Sequence, residues 1–172
     1  MAGEQQAVLV ARKPAYRVTP HYRFVPSKLR RAGIKEVIDL IARDPETRKE
    51  AGFVQVQLIE LNGRVSAVIK GLEAKGVQNK GVGTELLRRA EQQARQNGAT
   101  LAWLKAGKSS ILNREGKPQP LEEFYAKRGY KPYYEFDRLD QKYHYKAPYA
   151  RMAKILAPSR RRELLQRQKQ LK

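Results

Sequence analysis

A chain of 172 residues, 41% of them hydrophobic, is long enough for one compact domain with a short appendage and apolar enough to fill its core. Cysteine is absent, which excludes disulfides, thiolate metal sites and a cysteine nucleophile, and the two histidines, His21 and His144, match no metal-ligand spacing. Lysine and arginine total 36 against 17 acids, a formal charge of +19 that draws anions and predicts an acidic partner: RNA, DNA, a ribonucleoprotein surface or a phosphorylated cofactor.

Apolar runs are too short to span a bilayer, and Glu4 with two glutamines interrupts the N-terminus where a signal peptide would begin. A cytoplasmic protein with no membrane partner and no metal is the expectation. Residues 1–26 read as an extended segment, with a β-like run from Ala7 to Ala11 and with Pro14, Pro20 and Pro26 forbidding a long helix. Ser27 is then placed to cap a helix. Ile34, Val37, Ile38 and Ile41 fall at i, i+3, i+4 and i+7, the stripe of an amphipathic helix, which Gly33 splits and Asp44-Pro45 ends.

From Phe53 to Leu61 the period changes to two: Val54, Val56 and Leu58 alternate with Gln55 and Gln57, predicting a half-buried strand. Asn62-Gly63 signals a tight hairpin, because both residues tolerate positive φ, and Val65 to Ile69 pairs back. Residues 84–97 read as a helix with Leu87, Ala90 and Ala94 on its inner side and Asn97-Gly98 as its stop. A short apolar strand, Thr100 to Leu104, and a polar loop over 105–119 follow. A helix from Leu121 to Lys127 ends at Gly129, and aromatic segments Tyr130 to Phe136 and Tyr143 to Leu156 form a last antiparallel pair. The division expected is an N-terminal segment 1–26, a domain 27–157 and a basic tail 158–172 that is solvated or orders on an anionic surface.

The informative segment is strand, loop, helix. Gln78-Asn79-Lys80-Gly81-Val82-Gly83 fits Q/R-x-x-G-x-G/A after a strand and opens the helix through Thr84. Helix-start amides have no intrahelical acceptor and sit at the positive end of the helix dipole, so they suit an anion. Glycines at 81 and 83 keep side chains away from those donors, and Lys80 adds a charge. Glycine pairs before helices also serve turns alone. About forty residues on stands Phe124-Tyr125-Ala126-Lys127-Arg128-Gly129-Tyr130, a short helix closing on glycine and an aromatic.

In this order, with a helix and a strand between them, the two blocks resemble the GNAT superfamily of N-acetyltransferases over residues 53–156. The resemblance implies an α/β fold, a mixed, mostly antiparallel twisted sheet flanked by helices, which is abbreviated unless the N-terminal residues supply a strand. It implies that Gln78, Asn79, Lys80, Gly81, Val82, Gly83 and Thr84 hold the pyrophosphate of acetyl-CoA. It implies that Thr100–Leu104 splays from Val65–Ile69 to admit the pantetheine arm, with the Val65–Ile69 backbone polarising the thioester carbonyl. Tyr125 matches the family tyrosine that protonates the departing thiolate; as an aromatic at helical spacing from Leu121 it also reads as core. Departures accompany the match. Positions of the usual base on the strand before the loop fall on Ala67 and Ile69, and Pro118 replaces an expected asparagine, with Asn113 nearby. The function implied is N-acetyl transfer to a primary amine associated with nucleic acid or ribonucleoprotein. The alternative is a catalytically inactive GNAT-like module that binds nucleic acid or builds a larger particle.

Overall fold

In the computed structural model, residues 16–75, 81–107, 110–112, 116–132 and 150–156 are described. They run as β1 (Arg17–Arg23), α1 (Ser27–Arg31), β2 (Ile34–Arg43), β3 (Glu50–Leu61), β4 (Arg64–Ala74), α2 (Val82–Gln96), β5 (Ala99–Ala106), β6 (Ser110–Leu112), β7 (Pro118–Pro120), α3 (Leu121–Ala126), β8 (Lys131–Pro132) and β9 (Ala150–Ile155). Seven of these strands form one sheet in the order β1-β2-β3-β4-β5-β9-β8, while β6 and β7 pair separately. Within the sheet β4 and β5 run parallel, joined through α2, and the other described neighbours are antiparallel. The mixed, mostly antiparallel sheet with flanking helices is the fold the sequence implied.

One expected helix is instead mostly a strand. Helix α1 lasts five residues and buries none, and Pro26 rather than Ser27 occupies its N-cap without a side-chain bond. Gly33, at φ +85°, then turns the chain into β2. The residues that match a helical stripe also leave Ile38, Leu40 and Ala42 at period two, and those three side chains are buried. Branching at Cβ in Ile34, Val37, Ile38 and Ile41 favours the extended form once β1 and β3 flank it. With β1 drawn from residues before 27, four strands precede the glycine loop, so the sheet is not abbreviated.

The hairpin is as expected, with Asn62 and Gly63 at φ 51° and 74° and with strands longer than the alternation indicated. Below the sheet, Val82, Leu86, Leu87, Ala90 and Ala94 of α2 pack on Ile38, Leu40, Val54, Val56 and Leu58. Each large side chain so buried contributes about 1.5–3 kcal/mol. Glu91, also buried, receives Arg95 at 3.0 Å and Lys154 at 2.9 Å, which fastens α2 to β9. Helix and sheet come closest at Gly52, where a Cβ would stand 2.6 Å from Glu73 O, 2.9 Å from Leu86 Cδ1 and 3.0 Å from Val82 Cγ1. Gly52→Ala is therefore expected to cost about 1–3 kcal/mol by overpacking, read as a lower urea midpoint. An unchanged midpoint would mean that both the β4 backbone at Glu73 and the helix start yield freely.

Beyond α2, β5 runs to Ala106, and part of the expected polar loop forms the β6–β7 pair. Helix α3 ends at Ala126, one residue short of the expected Lys127, and Gly129 at φ +85° turns the chain after it as predicted. The closing antiparallel pair is present as Lys131↔Ala153 and Pro132↔Met152. Residues 133–136 and 143–149 of that expected pair, the run Ala7–Ala11, His144 and the tail 158–172 lie outside the described residues.

Candidate functional site

The site begins where two parallel strands separate. Strands β4 and β5 pair from Val65↔Ala99 to Ile69↔Leu104. Beyond that point β4 continues to Ala74 on β3 alone, and β5 continues through Lys105 and Ala106 on β9 alone. Between Phe53↔Glu73 and Gln55↔Lys70, β3 advances two residues while β4 spans three, a bulge that coincides with Gly71 at φ +60°. Such a bulge bends its strand away from a neighbour. The splay expected between Thr100–Leu104 and Val65–Ile69 thus starts later: those apolar stretches pair along their length, and the notch opens at residues 70–74.

Helix α2 starts at this open end. Gly81 is its N-cap, left-handed at φ 81° and ψ 3°, and no side chain caps it. The first intrahelical bond runs from Glu85 N to Gly81 O at 3.0 Å, so the amides of Val82, Gly83 and Thr84 precede the ladder. Buried Val82 anchors the turn against β3, as the contact over Gly52 shows. Among the described residues nothing stands within 4 Å of a Cβ built on Gly81, and amides at the start of a 15-residue helix suit an anion. Gly81, Val82, Gly83 and Thr84 are brought together here; Gln78, Asn79 and Lys80 lie outside the described residues.

Helix α3 supplies the third wall. A Cβ on Gly83 would stand 3.8 Å from Phe124 Cζ, ordinary contact. Tyr125 next to it is 6% exposed, packed edge-on against Phe124 at 5.2 Å and Tyr130 at 5.9 Å between centroids. Burial raises its phenol above the usual 10, opposed in part by the charge of Arg128, so the hydroxyl stays protonated at neutral pH. Both readings of Tyr125, core ring and proton donor, fit this placement.

Arg128, in the second aromatic block, has a role that its sequence position does not announce. Its Nη2 donates to Thr84 Oγ1 and its Nη1 to Phe124 O, both at 2.6 Å, while its guanidinium lies 3.5 Å over the Phe124 ring. It locks the end of α3 to the first turn of α2. Ala67 and Ile69, where a base would lie, are buried in the core. Glu60 is bound to Lys35 at 2.9 Å, and Glu73 is exposed on the parted stretch of β4. Pro118 opens β7, and Asn113 lies outside the described residues. Among the described residues no group of three His, Asp or Glu side chains could hold a metal, and no helix is long and apolar enough to cross a membrane.

The acetyltransferase (GNAT) family model matches residues 43–130, from the end of β2 to the aromatic after α3. No curated protein sequence matches the chain. Among solved structures it is similar to an aminoglycoside 6'-acetyltransferase type Ii, at 25% identity and TM-score 0.50, covering 73% of this chain and 72% of that one. A GNAT family N-acetyltransferase from Escherichia coli in complex with CoA is 15% identical, with TM-score 0.53 and 85% of each chain covered. An aminoglycoside 6'-N-acetyltransferase from Enterococcus faecium is 18% identical, with TM-score 0.51, covering 82% of this chain and 98% of that one. The last two likenesses establish the fold.

Proposed function

The chain belongs to the acetyltransferase (GNAT) family, and from that premise we propose that it moves an acetyl group from acetyl-CoA to a primary amine. The observation that carries the reading is the uncapped start of α2, open to solvent at Gly81 and set beside the parted ends of β4 and β5. Acetyl-CoA supplies a thioester, at whose carbonyl a neutral amine forms the C–N bond as the C–S bond breaks. The amides of Val82, Gly83 and Thr84, with Gln78, Asn79, Lys80 and Gly81, hold its diphosphate. The backbone of residues 70–74, free of β5, takes the carbonyl-polarising role that the paired Val65–Ile69 cannot fill. Tyr125 gives its proton to the departing sulfur, and the proton that the amine sheds as the amide forms passes to solvent, from which the phenol is restored; a buried neutral phenol suits a leaving thiolate of similar basicity. Holding both reactants in one notch accounts for much of the acceleration.

For the acceptor, a chain of +19 repels polycations and favours an amine carried on something anionic, such as an aminoacyl-tRNA or a nucleic-acid-bound protein. The test is thermal unfolding with acetyl-CoA. At about 100 times its dissociation constant the ligand should add roughly 2.7 kcal/mol. No stabilisation at millimolar acetyl-CoA would discard the proposal. A second reading, an inactive GNAT-like module on nucleic acid, is favoured by the burial of Ala67 and Ile69 where a base would lie. That module would ignore acetyl-CoA and bind RNA or DNA with steep salt dependence.

A further inference from the structure

Residues 17–35 carry Arg17, Arg23, Lys28, Arg30, Arg31 and Lys35 and no acid at all. Elsewhere several described cations have an acid close by: Arg88 and Arg89 have Glu85, Arg95 and Lys154 have Glu91, and Lys75 has Glu50. Around α1 the balance differs. Its first turn has no acidic residue and its last turn holds Lys28, Arg30 and Arg31. Among the described residues, Arg23 reaches Asp39 at 3.6 Å and Glu60 holds Lys35 at 2.9 Å.

The same corner exposes aromatic rings. Strand β1 is an edge of the sheet, and α2 packs on β2 to β5. Tyr22, opposite buried Ile38 in register, therefore lies past the helix and stays 59% exposed. Two residues on, Phe24 is 82% exposed. Large apolar groups left this open, ringed by charge, mark a contact surface. Arg30 is fixed beside them: its Nε donates to Val25 O at 3.0 Å and its guanidinium lies 5.8 Å from the Phe24 ring centre.

We propose that the β1–α1 corner binds single-stranded nucleic acid, with Tyr22 and Phe24 as platforms for bases and Lys28, Arg30 and Arg31 as phosphate contacts. Every base has a face that stacks on an aromatic ring, and cations alongside follow the sugar–phosphate chain. A duplex offers no free base faces, so single strands are preferred. An anionic bilayer fits less well. Helix α1 has five residues with Leu29 as its lone large apolar side chain, too little for an apolar face, and the rings come from extended backbone. The inference rests on the anionic-partner part of the function proposed above and is independent of acetyl transfer.

The experiment uses the full chain and fluorescence anisotropy with labelled 15-nucleotide oligo(U) and oligo(dT), a duplex of equal length, and phosphatidylserine vesicles. Wild type should bind the single strands more tightly than the duplex. The Tyr22→Ala/Phe24→Ala double variant should lose about 10-fold or more on single strands with an unchanged salt slope. Lys28→Gln/Arg31→Gln should lower the slope of log K against log salt by about 1–2. Both variants should keep the acetyl-CoA thermal shift, so that failure here is distinct from failure of the cofactor site. Single-strand affinity unaffected by loss of both rings, equal preference for duplex, or binding to vesicles in place of oligonucleotide would each overturn the proposal.

Discussion

Substituting Gly81→Asn together with Gly83→Val is expected to abolish acetyl-CoA binding while the protein stays folded. The choice of residues separates obstruction from strain. At φ +81° an ordinary side chain costs about 1–2 kcal/mol, but asparagine tolerates this region better than others. Among the described residues no atom lies within 4 Å of a Cβ at position 81. Valine at 83 faces only Phe124 Cζ, 3.8 Å from the added Cβ. The ligand-free melting temperature should therefore fall by a few degrees, at about 2–4 °C per kcal/mol for a chain of this size. Over the bare amides of Val82, Gly83 and Thr84, however, two new side chains fill the room a diphosphate needs. Affinity should drop at least about 100-fold, roughly 2.7 kcal/mol, and the stabilisation by acetyl-CoA should vanish. A double variant that still binds within a few-fold of wild type would show that the ligand does not sit on this helix start.

That glycine-flanked helix start could be read from the sequence because its parts are local. The N-cap glycine, the first helical residue and the glycine after it occupy three consecutive positions, and the hairpin at Asn62-Gly63 is local too. What escaped the sequence depends on partners far along the chain. Ile34, Val37, Ile38 and Ile41 fit a helical stripe while Ile38, Leu40 and Ala42 fit an extended period, and only pairing with β1 and β3 decides between them. The notch depends on a single strand glycine, Gly71, whose bulge becomes visible when the β3–β4 register slips. Arg128 and Thr84 are 44 residues apart, and no spacing rule connects a helix-ending guanidinium to another helix's first turn. The second aromatic block was legible as a pattern, yet what its ring contributes, packing or chemistry, is a matter of reactivity that position alone leaves open.

Tyr125→Phe decides that matter, and a large effect is expected: kcat lower by about 10²–10⁴-fold, the range for losing a positioned proton donor. The substitution keeps the ring, so the edge-on contacts with Phe124 and Tyr130 persist and the fold should hold. KM for acetyl-CoA should change little, because the proposed function gives the binding to the amides of α2 rather than to the phenol. The pH profile gives a second readout. Burial raises the Tyr125 pKa above 10, so the donor is intact through neutral pH and wild-type turnover loses its proton source only as pH climbs beyond that value. The same sign governs stability: favouring the neutral phenol is a contribution fully present below about 10 and lost as pH rises through the higher folded value. In Tyr125→Phe the alkaline fall in kcat should disappear along with most of the rate. Turnover equal to wild type, with the alkaline limb retained, would leave Tyr125 as a core ring and the sulfur protonated by solvent.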